Sequence, residues 1–216
     1  MQLETRRKQP SYENTLVYPS VETAKKRFAF SHKEITHLAV AVLLVISVGL
    51  NLQGMVYNDS GVLALLSVMF AVSFLAHELA HKTMAQRHGL WAEFRLTLIG
   101  AMLTLLSVIS PIIKIIAPGA VMVSGSADKK VIGKTSIIGP TANIFLASIM
   151  CAASVALMHN WTFPVIAFYN AWLAIFNLIP IGILDGFKVF VWNKRIWALA
   201  FTASVVVGVI SYRLLF

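Results

Sequence analysis

The segment His77-Glu78-Leu79-Ala80-His81 combines residue types that can bind a metal ion and activate water. On a helix, the two histidines lie one turn apart on the same face, so their rings can approach a single point. Two neutral imidazoles at this spacing suit Zn²⁺, and the glutamate between them is placed to act as a general base. The spacing therefore predicts a catalytic zinc site on this helix.

This segment follows directly on an apolar stretch that runs from Val62 to Ala76. Ionisable side chains are expensive inside hydrocarbon, so a cluster there indicates a functional site. The alternative is a pair of buried polar residues at a contact between helices. We consider it less favourable, because such contacts in membranes prefer Ser, Thr and Gly.

The composition indicates a membrane protein. The chain has 216 residues, of which 58% are hydrophobic and 12% are charged. Soluble domains have about 45–50% apolar and about 25% charged residues. The sequence therefore predicts an all-α polytopic membrane protein with five to six transmembrane helices.

The net charge of +9 is explained better by membrane orientation than by nucleic-acid binding, since no aromatic-rich basic motif is present. The basic residues that precede the first apolar run are Arg6, Arg7, Lys8, Lys25, Lys26, Arg27 and Lys33. Because positive charge collects on the cytoplasmic side, we expect a cell-membrane protein whose N-terminus is cytoplasmic. His77 and His81 then lie toward the cytoplasmic end of the second span.

Hydropathy and length divide the chain into an N-terminal cytoplasmic segment, 1–34, and a transmembrane domain, 35–216, which carries the predicted zinc site. The core spans of this domain are expected at about 61–88, 136–158 and 163–186. The individual spans are predicted at Ile35–Tyr57, Gly61–His88, Ser136–Met158, Phe163–Leu184 and Ile196–Leu215.

The stretch from Ala92 to Lys134 is harder to interpret, because it is apolar in its centre but broken by prolines. A membrane-embedded hairpin that turns near Pro111 keeps both ends on the cytoplasmic side. A single crossing by Leu96–Ile116 would reverse every later span. We therefore favour the hairpin, with Gly119–Val123 as a short β element between the helix of the histidines and the next core helix.

A catalytic zinc ion has three protein ligands and an open position for water, so the two histidines need a partner. Most other acidic residues lie in the N-terminal segment or in loops, and Asp59 lies at the opposite membrane face. Asp185 ends a long apolar run at a depth comparable with His81, and we choose it as the third ligand. Asp-Gly at this point is also a common turn signal.

The segment before Asp185 contains two further residues of interest. Pro180 should break or kink the helix and free a backbone carbonyl. Asn177 could donate its amide to a substrate or an oxyanion. An interhelical hydrogen bond explains Asn177 equally well from spacing alone.

His77-Glu-Leu-Ala-His81 and Asn177-Leu-Ile-Pro-Ile-Gly-Ile-Leu-Asp-Gly186 together resemble the signatures HExxH and NxxPxxxLDG of the site-2 protease family. Gly139-Pro-Thr-Ala-Asn143 is similar to a third signature of that family, GxxxN, and the resemblance extends from about Phe30 to the end. It implies a short archaeal-type member, without PDZ or CBS domain, that holds one zinc ion within the bilayer.

The resemblance also implies roles for particular residues. His77, His81 and Asp185 would bind the zinc ion, and Glu78 would be the general base. Asn177 and Asn143 would bind the substrate backbone or stabilise the tetrahedral intermediate.

The resulting functional hypothesis is an endopeptidase that cuts transmembrane helices of protein substrates, in regulated intramembrane proteolysis. One alternative is a zinc-binding transporter or sensor without protease activity, although a transporter should show an internal repeat or paired polar sites. Another is a zinc protease that acts on soluble peptides at the membrane surface.

Overall fold

The protein is described by a computed structural model that covers residues 29–54, 59–110, 115–157 and 161–216. Its helices and strands follow the chain in the order α1 (His32–Gly54), α2 (Ser60–Arg87), β1 (Trp91–Leu96), α3 (Leu98–Ile109), β2 (Gly119–Ser124), α4 (Lys129–Ala156), α5 (Thr162–Asn177), α6 (Asp185–Trp192) and α7 (Lys194–Leu215). The predicted turn near Pro111 and most of segment 1–34 lie outside the described residues.

Four helices in the described part of the chain are long and apolar enough to cross a membrane. They are α1, α2, α4 and α7, and they agree with four of the five predicted spans. Helices α3 and α5 are apolar but shorter, with 12 and 16 residues. At about 1.5 Å per residue, α3 is roughly 18 Å long, too short to cross a hydrocarbon core of about 30 Å.

Side-chain caps determine where two of the long helices begin. Asp59 accepts hydrogen bonds from the backbone N–H groups of Gly61 and Val62 at the start of α2. Asp128 accepts one from Val131 at the start of α4. Because of this second cap, α4 begins at Lys129, before the predicted start of the span at Ser136.

The predicted β element is present as a two-stranded antiparallel sheet of β1 and β2. The register pairs Trp91 with Ser124 and Leu96 with Gly119. The two ends of the stretch after α2 therefore lie side by side, as a hairpin requires.

The hydrophobic core lies where α1, α2, α5 and β1 meet. The rings of Phe70 in α2 and Tyr169 in α5 stack with their centroids 3.6 Å apart. Phe74, one turn further along α2, packs edge-on against Phe94 of β1. These contacts fix α2 against both α5 and the sheet.

The first turn of α1 covers the outer edge of β1. Glu34 accepts a hydrogen bond from the backbone N–H of Phe94 at 3.0 Å, and His37 accepts one from Leu96 at 3.1 Å. Glu34 also pairs with the ammonium group of Lys82, at 2.5 Å, and both side chains are almost fully buried. Lys82 follows His81 directly, so this pair ties the start of α1 to the histidine helix.

Replacing Glu34 by alanine should destabilise the protein strongly, because it removes the carboxylate beside a buried ammonium group. Breaking a buried ion pair on one side costs about 3–5 kcal/mol. The double variant Glu34→Ala/Lys82→Met should recover much of this loss. The loss of stability is measured by thermal unfolding in detergent, with Lys33→Ala, a change at an exposed residue, as the control. Equal melting temperatures for Glu34→Ala and Lys33→Ala would contradict the prediction.

The predicted span Phe163–Leu184 is interrupted in the structure. Helix α5 ends at Asn177, residues 178–184 are not helical, and α6 begins at Asp185. Pro180 lies in this break, as its missing N–H group leads one to expect. Within the break, the carbonyl of Leu178 accepts a hydrogen bond from the indole of Trp197 at 2.8 Å. Asp185 is therefore the first residue of a new helix and not the last of a span.

Candidate metal centre

The two histidines of α2 face each other through their Nε2 atoms. The Nε2 atoms of His77 and His81 lie 3.0 Å apart. Both side chains are buried, with exposed fractions below a tenth. This convergence follows from their spacing of four residues along the helix.

Asp185 completes the group from the start of α6. Its Oδ2 atom lies 3.4 Å from Nε2 of His77 and 2.9 Å from Nε2 of His81. Tetrahedral zinc with ligands at 2.0–2.1 Å has ligand–ligand distances of about 3.3 Å. The three atoms are thus spaced as one face of such a site requires.

The other ring nitrogen of each histidine is held by an acceptor. Nδ1 of His81 lies 2.6 Å from the backbone carbonyl of Thr135, and Nδ1 of His77 lies 2.6 Å from Oδ1 of Asn143. Histidines that bind metals usually donate their second N–H in this way. Both partners lie on α4, so α4 orients both imidazoles.

Gly139 of α4 leaves the space beside the ring nitrogens open. A Cβ atom at this position would lie 2.2 Å from Nε2 of His81 and 2.8 Å from Nε2 of His77. Because Gly139 has no side chain, a space remains open beside the three ligand atoms. Two imidazoles, one carboxylate and this open space fit a zinc ion.

A cation also lies beside the carboxylate of Asp185. The ammonium group of Lys188 lies 3.6 Å from Oδ1 of Asp185. A positive charge at this distance favours the ionised form of the carboxyl group, which metal binding requires.

Glu78 lies beside the three ligands and adjoins strand β2. Its side chain is buried, and the backbone N–H of Val121 is directed at its carboxylate. The register explains this direction. Because Phe94 donates its N–H outward to Glu34, its partner Val121 also directs its N–H away from the sheet.

The two predicted substrate-binding asparagines have different surroundings. Asn143 is fully buried, and its amide contacts His77 and two groups in the helix bundle. Asn177 is half-buried in the last turn of α5, and its amide nitrogen donates to the carbonyl of Leu173 at 2.9 Å.

Several residues that shape this centre were not predicted as site residues. Gly139 belongs to the GxxxN pattern, but the space that it leaves beside the histidine rings depends on how closely α4 approaches α2. The carbonyl of Thr135 carries no side-chain signal at all. Asn170 and Ser73, which accept hydrogen bonds from the amide of Asn143, could have been found as polar residues within apolar spans.

The fold and the site define a mostly helical protein with four described helices that are long and apolar enough to cross a membrane, and with a His–His–Asp cluster that could hold a metal ion. A protein of Methanocaldococcus jannaschii, provisionally named a zinc metalloprotease, is 32% identical to this chain over 180 residues. The alignment covers 80% of this chain and 91% of that relative. This chain therefore belongs to the same zinc metalloprotease family. No protein-family profile and no solved structure matches it.

Proposed function

We propose that this protein is an intramembrane zinc endopeptidase of the site-2 type, which hydrolyses peptide bonds within transmembrane helices of substrate proteins. One observation carries the proposal. The ligand atoms of His77, His81 and Asp185 converge beside Glu78. Glu78 and both histidines belong to α2, which is long and apolar enough to cross a bilayer. The relative named a zinc metalloprotease supports the metal and the hydrolytic chemistry.

His77, His81 and Asp185 would hold the zinc ion. When bound, it would supply Lewis acidity, which would lower the pKa of a water toward about 7 and polarise a peptide carbonyl. The carboxylate of Glu78 accepts the proton of the attacking water and returns it to the leaving nitrogen. Asn177 is proposed to donate its amide to the substrate backbone.

A helical substrate must unwind before it can react, because its carbonyls are occupied by hydrogen bonds within the helix. An extended segment can then add to the edge of a sheet. The outer edge of β1 is covered by Glu34 and His37, whereas the outer edge of β2 adjoins Glu78. We therefore propose that the substrate pairs with β2.

The centre is proposed to lie within the cell membrane, toward the cytoplasmic side. The basic residues that precede α1 in the sequence support an N-terminus on the cytoplasmic side, and α2 would then run inward. His77 lies about 26 Å along α2 from Ser60, at 1.5 Å per residue, near the inner end of a hydrocarbon core of about 30 Å.

The test uses purified protein in detergent with a single-span reporter substrate, and the cut site is mapped by mass spectrometry. We expect cleavage within the apolar segment, loss of cleavage with a chelator, and recovery with zinc. Asp185→Ala should lose both zinc and cleavage. Cuts only outside the apolar segment would indicate a protease for surface peptides. Zinc uptake into vesicles without any cleavage would indicate a transporter and overturn the proposal.

A further inference from the structure

A chain of buried polar side chains leads from the metal centre into the helix bundle. It connects His77, Asn143, Asn170 and Ser73, which belong to α2, α4 and α5. Asn143 and Asn170 have no exposed surface, and Ser73 is 2% exposed. Amide groups in such positions cost free energy unless they are hydrogen-bonded, so their orientations are strongly constrained.

The amide orientation of Asn170 is set by a backbone carbonyl. Its Nδ2 atom lies 2.9 Å from the carbonyl oxygen of Ile166 and 2.9 Å from Oγ of Ser73. A carbonyl oxygen can only accept a hydrogen bond, so the NH₂ group of Asn170 must face Ile166. The oxygen of the Asn170 amide then faces Asn143.

The same argument fixes Asn143. Its Nδ2 atom donates to Oδ1 of Asn170 at 3.0 Å and to the backbone carbonyl of Ser73 at 3.3 Å. Both partners are acceptors, so the NH₂ group is turned toward them and Oδ1 toward His77. Because this oxygen carries no proton, Nδ1 of His77 must donate the hydrogen bond of 2.6 Å.

We propose that Asn143 and Asn170 are positioning residues that hold His77 in its Nδ1-protonated tautomer, with the lone pair of Nε2 directed at the metal. Asn143 acts directly on the imidazole, and Asn170 acts through Asn143. The inference rests on the metal centre proposed above. It gives Asn143 a different role from the substrate contact that the family resemblance implies, because all three of its amide hydrogen bonds are made within the protein.

The test measures zinc affinity by competition with a chelator, so it requires no cleavage. Changing the partner of a metal-binding histidine usually weakens metal affinity by about 10–100-fold. We expect Asn143→Leu to lose affinity in this range and Asn170→Leu to lose less, in the same direction. Asn143→Asp loses the NH₂ donor but keeps an acceptor for Nδ1, so it should bind zinc more tightly than Asn143→Leu does. Ser148→Ala, an exposed change on the same helix α4, should have no effect.

The outcomes separate the possible roles. If Asn143 binds only the substrate, Asn143→Leu retains wild-type zinc affinity and cleaves slowly, and Asn143→Asp is equally slow. That result would overturn the inference but not the protease. If only Asn170→Leu retains wild-type affinity, the role of Asn170 is refuted. If wild-type protein fails to bind zinc, the metal centre itself is wrong.

A measurement on the wild-type protein avoids any folding defect of the variants. Nitrogen-15 spectra of the metal-free protein, with histidines labelled, distinguish the two neutral tautomers of His77. The spectra should show a proton on Nδ1. A proton on Nε2 instead would overturn the inference.

Discussion

Replacement of Glu78 by glutamine is expected to abolish cleavage and to leave zinc binding intact. Glutamine has the same shape but cannot accept a proton from water. General base catalysis contributes about 10²–10⁴-fold to a rate, and we expect a loss of that size. Zinc should remain, because the three ligand atoms belong to His77, His81 and Asp185.

Two measurements check this result, zinc content by atomic spectroscopy and the initial rate of reporter cleavage. Glu93→Gln makes the same chemical change on β1, where the carboxylate pairs with Arg95. We expect this control to cleave at nearly the wild-type rate. A Glu78→Gln protein with full zinc occupancy and an unchanged rate would refute the role of Glu78 as base.

The second large effect is expected for Gly139→Ala, which adds one methyl group beside the metal centre. That methyl carbon would lie 2.2 Å from Nε2 of His81, well inside any allowed contact. Either α4 moves away from α2 or the space for the ion is lost. We expect zinc affinity to fall by more than the roughly 10–100-fold loss typical of indirect changes, and cleavage to fall with it.

The structure offers a matched control for this variant. At Gly208 of α7, a Cβ atom would lie 3.4 Å from Cδ1 of Ile175 and 3.6 Å from Cβ of Ala171, which are ordinary contacts. Gly208→Ala should therefore keep zinc affinity and cleavage, and alanine also favours a helix more than glycine does. Wild-type zinc affinity in Gly139→Ala would mean that the ion binds elsewhere.

The contacts around α2 explain how the two-stranded sheet is held next to the candidate metal centre. The ion pair of Glu34 and Lys82 fixes α1 to α2, and the same glutamate holds β1 through Phe94. Strand β2 is then positioned by its register with β1, so that β2 lies against α2 near Glu78. A substitution at Glu34 could thus affect both stability and the geometry of the proposed substrate edge.

Hydropathy predicted those helices whose apolar residues form one continuous stretch of sequence. Four long apolar helices and the β element after α2 agree with the prediction. The predicted span Phe163–Leu184 is longer than helix α5, because mean hydropathy does not detect a helix break. Pro180 indicated that break, which begins after Asn177 in the structure. The count of five to six membrane spans stays a prediction.

The sequence by itself determined the pairing of His77 with His81, since a helix places residues four apart on one face whatever surrounds it. It also indicated Asp185, because this acidic residue follows a long apolar run that ends at a depth comparable with His81. Only the tertiary structure decided which groups hold the other nitrogen of each imidazole, and that Gly139 leaves room beside them. These features depend on the distance and rotation of α4 against α2, and such long-range packing leaves no periodic trace in the chain.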